Sequence, residues 1–208
     1  MTFDEQRFFK TVRRDLFSGR LTTAQVSGMT ALIAGWRALT DIDDPRRLAY
    51  CLATAFHETG GRMLPVRETF APSDRAAMLR LERAYAAGRL RQVRTPYWRL
   101  DAEGKSWFGR GLVQITHRRN YERLSAATGI DLVGDPGRAM ELDAAVKILV
   151  IGMRDGLFSG VTLADAFGRG TADWIGARRI VNGRDRAALV AGYGQAFLAA
   201  ITGEGPGG

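Results

Sequence analysis

Apolar residues recur three and four positions apart along most of this chain, which is the spacing of one buried face on an α-helix. Residues 202–208 are rich in glycine and break this pattern, so we expect a disordered tail there. The spacing predicts helices over 3–17, 22–39, 45–58, 74–87, 118–128, 143–155 (capped by Asp143), a short helix from Thr162, 172–181 and 185–200.

Local signals mark the ends of several of these helices. Asp44 suits the N-cap of the third helix and Pro45 its first position, while Gly60-Gly61 would end it. Thr22 with Gln25 has the spacing of a capping box. The third predicted helix is therefore defined at both ends.

Residues 95–111 lack a helical period, and aromatic pairs and glycines lie among polar residues there. The composition predicts irregular backbone with a short hairpin, followed by a very short extended piece over 113–115. Aromatic residues here either pack in a core, which we favour, or stack on sugar rings. We expect one mainly α domain over 1–201, with an irregular small lobe over about 62–110.

The chain has 208 residues and is 46% hydrophobic, which suffices for a sizeable core. The longest apolar run, Ala144–Met153, is interrupted by Lys147 and is too short to span a membrane. The N-terminal residues lack a basic start followed by an apolar stretch. We therefore expect synthesis in the cytoplasm without a signal peptide.

The net charge is +8, and all basic residues except Lys10, Lys105 and Lys147 are arginines. Such a surface favours polyanions such as nucleic acid, anionic lipid or an anionic cell wall. Six arginines lie between 74 and 94, where a solvated helix and a binding face both fit the pattern.

Cys51, the single cysteine, is expected to be buried filler, and two histidines with one cysteine argue against zinc.

Two carboxylates stand out because their settings differ. Glu58 falls in the last turn of a mostly apolar helix, where it would be partly desolvated, as suits a general acid. Glu68 follows ten residues later in a segment with loop character. Cleavage of a glycosidic bond needs at least two carboxylates in different environments.

A second polar group follows in residues 108–121. Gln114 and Thr116 would share one side of an extended piece, and Asn120 would return from the first turn of the next helix. Amides and hydroxyls at these positions suit sugar hydroxyls and N-acetyl groups. Turn and capping chemistry is the alternative for each residue taken alone.

Three stretches in order, 57–61, 109–121 and 179–183, resemble glycoside hydrolase family 19. That family contains chitinases and many phage endolysins, and residues 21–26 and 105–108 resemble the endolysin branch. The resemblance covers about 45–195 and implies a lysozyme-like helical domain with two lobes around a substrate cleft. After Asn182 the sequence Gly183-Arg184-Asp185 departs from chitinases, which usually have a second glycine there.

The resemblance also implies roles for individual residues. Glu58 would be the general acid, Glu68 the general base with Asp101 or Glu103 as fallbacks, and Thr116 would hold the attacking water. The reaction would invert the anomeric carbon, with no metal or cofactor, and Arg67 and Arg179 would tune the carboxylates. The expected substrate-binding residues are His57, Gln114, Asn120, Tyr121, Arg179 and Asn182.

The leading functional hypothesis is an endolysin that cleaves peptidoglycan, acting as a monomer on an anionic cell envelope. It would reach the periplasm and wall through a holin-type pore. The near alternative is a chitinase acting on N-acetylglucosamine polymers. The distant alternative is a non-catalytic module that binds the wall or nucleic acid, although we find no nucleic-acid motif.

Overall fold

The computed structural model describes residues 2–204, which form a mainly α fold, as predicted. Within this range two short strands, β1 (Val66–Arg67) and β2 (Arg110–Gly111), pair antiparallel. Short 3-10 turns span Glu68–Phe70, Pro136–Met140 and Gly176–Ile180. The α-helices of this part of the chain are α1 Glu5–Asp15, α2 Thr23–Leu39, α3 Pro45–Glu58, α4 Asp74–Ala86, α5 Arg118–Thr128, α6 Leu142–Arg154, α7 Leu163–Ala166 and α8 Ala187–Thr202.

The predicted helix starts at α2 and α3 are confirmed. Thr22 and Gln25 form both hydrogen bonds of a capping box, and Asp44 caps the backbone N–H of Arg46. At the other end of α3, Gly60 and Gly61 take positive φ values of 57° and 76°. A residue with a Cβ disfavours this conformation, so the glycine pair ends the helix directly after Glu58.

The main core is built around α3. Residues 48–55 of this helix are all buried, and α3 packs along α8. Cys51 has no exposed surface, as predicted, and burial raises the pKa of its thiol, because an ionised sulfur would lose its hydration. The helix that carries Glu58 is therefore fixed on nearly every side.

A second, smaller hydrophobic cluster lies beside the main core. It brings α4, through Ala77 and Leu81, against Trp98 and Phe108. Trp98 is 1% exposed and Phe108 is fully buried, so these aromatic residues of the irregular segment pack in a core, as favoured from the sequence. The cluster includes Ala71, which follows Glu68 in the chain, and Phe108, which precedes its hydrogen-bond partner Gly109. It therefore fixes the two segments that meet at Glu68.

Several details of the predicted secondary structure differ from the structure. Residues 172–181 contain only a 3-10 turn, since the Asp173 side chain accepts the backbone N–H of Gly176 and closes a tight turn. Residues 95–111 supply β2, which pairs with β1 from a different segment, and the short hairpin lies slightly later than predicted, where Arg110 bridges Ile115 antiparallel. Residues 112–114 form a turn, because Gln114 has a φ of 53°, which an extended chain does not allow.

The N-cap of α6 is Glu141, whereas Asp143 lies in the first turn. The predicted disordered tail overlaps α8, which includes Thr202, and its residues 205–208 lie outside the described range. In the described part of the chain, no helix is long and apolar enough to cross a membrane.

Candidate active site

Glu58 is the last residue of α3 and is held by an arginine from a distant part of the chain. Arg178 Nη1 donates to Glu58 Oε1 over 2.8 Å. The Arg178 side chain is 3% exposed and that of Glu58 is 16% exposed. Because both groups are removed from most of the water, this pair fixes the carboxylate far more firmly than a surface ion pair would.

The loop after Glu58 is closed by side chains that bind its backbone. The buried hydroxyl of Thr59 donates to the carbonyl of Ala55 and accepts the N–H of Met63. From α2, Gln25 Nε2 donates to the carbonyl of Gly61 over 2.9 Å. These bonds leave little freedom in the turn that ends α3.

Glu68 follows β1 directly and is fixed at both carboxylate oxygens. Gly109 N donates to Oε2 over 2.7 Å, and the hydroxyl of Tyr97 donates to Oε1 over 2.8 Å. The backbone N–H of Glu68 in turn donates to the carbonyl of Gly109. Glu68 is half-buried, and both groups that donate to its carboxylate are neutral.

Gly109 is the point at which three predicted site residues meet. A Cβ added there would lie 2.8 Å from Gln114 Oε1 and 3.3 Å from both Glu68 Oε2 and Thr116 Cγ2. Gln114 itself is held by its amide, which donates to the carbonyl of Val66. A side chain at position 109 would therefore press on the Gln114 amide, the Glu68 carboxylate and the Thr116 methyl group.

The backbone on both sides of Gly109 contains unusual conformations. Thr69 and Phe70 have φ values of 61° and 52°, and Gln114 and His117 have 53° and 66°. Residues with a Cβ seldom adopt positive φ, and such strain concentrates at binding and catalytic sites. Here it lies in the two segments that supply Glu68, Gln114 and Thr116.

The segments carrying the two glutamates are neighbours. A Cβ added to Gly60 would lie 3.3 Å from the ring of Phe70, and the Arg62 guanidinium stacks on that ring at 4.3 Å. Gly60 follows Glu58 by two residues, and Phe70 follows Glu68 by two. The fold thus places the turn that follows Glu58 against the turn that follows Glu68.

The comparison with known families agrees with this arrangement. The family model for glycoside hydrolase family 19, described as chitinase class I, matches residues 24–153, which is more than half of the chain. The chain belongs to glycoside hydrolase family 19. It is a glycosidase domain, and the predicted family is confirmed. No curated protein matches the sequence significantly.

In this family 19 domain, some predicted residues lie where a substrate could reach them. Asn120 is half-buried, and its amide donates to the carbonyl of Thr116. Asn182 is exposed, and its Oδ1 accepts the N–H of Gly183. His57 is half-buried beside Glu58, and burial lowers its pKa, although Glu58 partly opposes this. The cause is that a charged imidazolium would be desolvated there.

Tyr121 was predicted to bind substrate, and the structure contradicts this. The residue has no exposed surface, its hydroxyl donates to the carbonyl of Phe108, and Arg110 Nη1 donates to its oxygen. Arg110 also pairs with Asp74. Tyr121 therefore supports the glycine segment from behind and does not face a ligand.

The two arginines expected to tune the carboxylates lie elsewhere. Arg179 is paired with Asp173, and Arg67 with Asp74, and neither guanidinium forms an ion pair with Glu58 or Glu68. Arg178 takes the place predicted for Arg179. Within this segment the adjacent arginines differ in burial, and no signal in the sequence separates them.

The fallback bases are also engaged in other contacts. Asp101 accepts the N–H groups of Glu103 and Lys105 and the indole N–H of Trp107, and these bonds lower its pKa. Glu103 pairs with Arg118 at 2.9 Å. Both carboxylates are therefore occupied by structural contacts, and Glu68 is the better candidate for the second catalytic carboxylate.

Tyr97, like Arg178, is a site residue that the sequence did not single out. Burial raises its pKa, as does the neighbouring carboxylate of Glu68, so the phenol keeps its proton and remains a donor. Its ring packs edge-on against His117, with ring centroids 4.6 Å apart. This contact orients the hydroxyl toward Glu68.

Proposed function

We propose that this family 19 glycosidase is an endolysin that hydrolyses the β-1,4 bonds of peptidoglycan with inversion. The strongest support is the environment of Glu68, whose two oxygens are oriented by Tyr97 and Gly109 while Thr116 and Gln114 converge on the same glycine. A base that activates water needs a carboxylate that is held in one orientation in this way.

Glu58 acts as the general acid. Its Oε1 accepts the hydrogen bond from Arg178, and within the described residues no hydrogen bond reaches Oε2. Oε2 is therefore the atom that carries the proton and donates it to the leaving glycosidic oxygen. Arg178 keeps the carboxyl group in one orientation during this transfer.

Glu68 acts as the general base. Each of its oxygens accepts one hydrogen bond from the protein, which leaves further lone pairs for a water molecule. The hydroxyl of Thr116 holds that water, and Glu68 takes its proton as the oxygen attacks the anomeric carbon. The displacement is a single step, so no covalent glycosyl intermediate forms.

Sugar binding falls to neutral polar groups around the two carboxylates. Gln114 and Asn120 come from the segment beside Glu68, while His57 and Asn182 come from the side of Glu58. Such amides and imidazoles match sugar hydroxyls and N-acetyl groups, which both candidate polymers carry. These residues recognise the sugar units without choosing between peptidoglycan and chitin.

The choice of peptidoglycan rests on charge. The net charge of +8 favours association with an anionic wall, whereas chitin is neutral. Added salt should therefore weaken association with sacculi and slow their hydrolysis. Activity on sacculi that is indifferent to salt would contradict this part of the proposal.

A chitinase remains the second candidate, because the matching family model describes that activity.

The test compares wild type with Glu58→Gln on purified peptidoglycan and on a soluble chitin oligomer, with products identified by mass. Release of muropeptides by wild type alone supports the proposal and shows which sugar carries the new reducing end. Cleavage of chitin alone would make the protein a chitinase. If a folded wild type cleaves neither polymer, a binding module replaces the enzymatic proposal.

A further inference from the structure

Unpaired arginines and exposed apolar side chains lie together on the surface of α4 and of the segment that follows it. Within residues 74–99, the side chains of Arg75, Arg83, Arg89 and Arg94 are exposed and form no hydrogen bond or ion pair with any described residue. Arg75 and Arg83 lie one turn before and one turn after Leu79, so the three residues form one stripe along α4.

The acidic residues of this region do not neutralise the stripe. Asp74 is engaged by Arg67 and Arg110. Glu82 accepts two hydrogen bonds from Arg99 and one from the indole N–H of Trp98, and these bonds lower its pKa to about 2. The region therefore carries a net excess of free positive charge.

An apolar slot of about 350 Å³ opens beside the stripe. Its carbon walls come from Met78 and Leu79 of α4 and from Trp98 and Leu100. Leu79 is 49% exposed and Leu100 is 60% exposed. Because both leucines line the same depression, they place exposed apolar surface side by side, as interaction sites do. Arg75, Glu82 and Arg99 also line it, and Glu82 is the residue paired with Arg99.

We propose that this face docks on a bilayer containing anionic phospholipids. Lipid phosphates would pair with Arg75 and Arg83, while Leu79 and Leu100 enter the hydrocarbon boundary and an acyl chain occupies the slot. A nucleic acid or a phosphorylated glycan would satisfy the arginines but would gain nothing from exposed leucines. The apolar slot beside the free cations therefore favours a lipid surface.

The test measures cosedimentation with phosphatidylcholine vesicles that do or do not contain phosphatidylglycerol. Wild type should bind only the anionic vesicles, and added salt should weaken this binding. Arg75→Gln with Arg83→Gln should weaken it by about fivefold per arginine. Leu79→Ser with Leu100→Ser should weaken it by about tenfold or more.

Matched controls come from other faces of the molecule. Arg13→Gln with Arg20→Gln removes the same charge beside α1, and Leu189→Ser removes a leucine that is 42% exposed on α8. Both should bind vesicles like wild type. All variants should hydrolyse a soluble glycan at the wild-type rate if the glycosidase proposal holds, and circular dichroism checks their folding independently of it.

Three results would overturn the docking proposal. Wild type could fail to bind anionic vesicles, the leucine variants could bind as well as wild type, or the α1 control could lose as much affinity as the α4 variant. The last two outcomes would indicate nonspecific attraction to polyanions. None of them bears on whether Glu58 and Glu68 hydrolyse a glycan, so the two proposals fail separately.

Discussion

Arg178 Nη1 and Glu58 Oε1 are 2.8 Å apart, although 120 positions separate the two residues in the sequence. The guanidinium comes from the 3-10 turn Gly176–Ile180, and its Nε donates to the carbonyl of Asp185. A C-terminal segment thus determines where the proposed acid points. The family match ends at residue 153, so this contact lies partly outside the matched range.

Replacing Arg178 with methionine should impair both stability and catalysis. The change leaves Glu58 without its partner in a mostly buried position, at a cost of about 3 kcal/mol in the free energy of unfolding. Urea denaturation measures this loss. Arg179→Gln is the matched control for stability, since Arg179 is exposed, and it should leave the free energy of unfolding nearly unchanged. Equal effects of the two changes would contradict the assignment.

Glu58→Gln should abolish turnover while folding and substrate binding are retained. Glutamine keeps the shape and can accept the hydrogen bond from Arg178, but it cannot supply the proton. The rate should fall at least about a hundredfold. Calorimetric titration with a chitin oligomer checks that binding persists. A variant that keeps a tenth of the wild-type rate would exclude Glu58 as the acid.

Tyr97→Phe should lower kcat by about tenfold, because Glu68 loses one of the two donors that orient it. Glu68→Gln should cost more, about a hundredfold or more, since the base itself is removed. Combining the two changes should add little to Glu68→Gln alone. Steady-state kinetics of the single and double variants tests this, and fully additive losses would show that Tyr97 acts independently of Glu68.

Gly109→Ala should reduce activity strongly with a smaller effect on stability. The added methyl would press on Gln114, Glu68 and Thr116, and their side chains would have to move. Gly192→Ala is the control, because a Cβ there meets nothing within 4 Å and lies in α8. The control should keep full activity and gain slightly in stability. Comparing kcat with the melting temperature separates the two effects.

Asp74 should make the stability of the protein depend on pH. Burial disfavours its charge, but hydrogen bonds from Arg67 and Arg110 outweigh burial and hold its pKa below the ordinary value. Its contribution is therefore present above about pH 4 and is lost as the pH falls through the folded-state pKa. The side chain is 42% exposed, so solvent screening keeps the effect modest.

Asp74→Asn tests this assignment. The variant should melt below wild type at neutral pH, and the gap should narrow as the pH is lowered toward the point where wild type protonates Asp74. Melting curves across the acidic range measure the gap. A gap that stays constant at all pH values would show that the charge of Asp74 does not contribute.

The sequence predicted those parts of the fold that depend on neighbouring residues. The end signals of α3 and the capping box of α2 lie within a few positions of the bonds they form, so pattern alone located them. The turn at Gln114 escaped prediction because a positive φ at a glutamine has no local signature. The same holds for the 3-10 turn in 172–181, where an apolar pattern suggested a regular helix.

The candidate site was predicted unevenly for the same reason. Glu58, Gln114 and Thr116 belong to motifs, and Glu68 follows Glu58 by ten residues in a loop-like segment, so all four could be named in advance. Tyr97 and Arg178 act through contacts 29 and 120 positions away, and the sequence contains no signal for such pairing. Tyr121 lies in a motif but faces inward, which periodicity at the start of a helix does not reveal.

Gln25 and Gly28 of α2 contact the loop that follows Glu58. The amide of Gln25 bonds to Gly61, and a Cβ at Gly28 would fall 1.8 Å from the carbonyl oxygen of Met63, so helix and loop are in direct backbone contact. A fragment that started at α3 would keep both glutamates yet lose this contact. The smallest unit that preserves the geometry of the acid therefore extends back to the cap at Thr22.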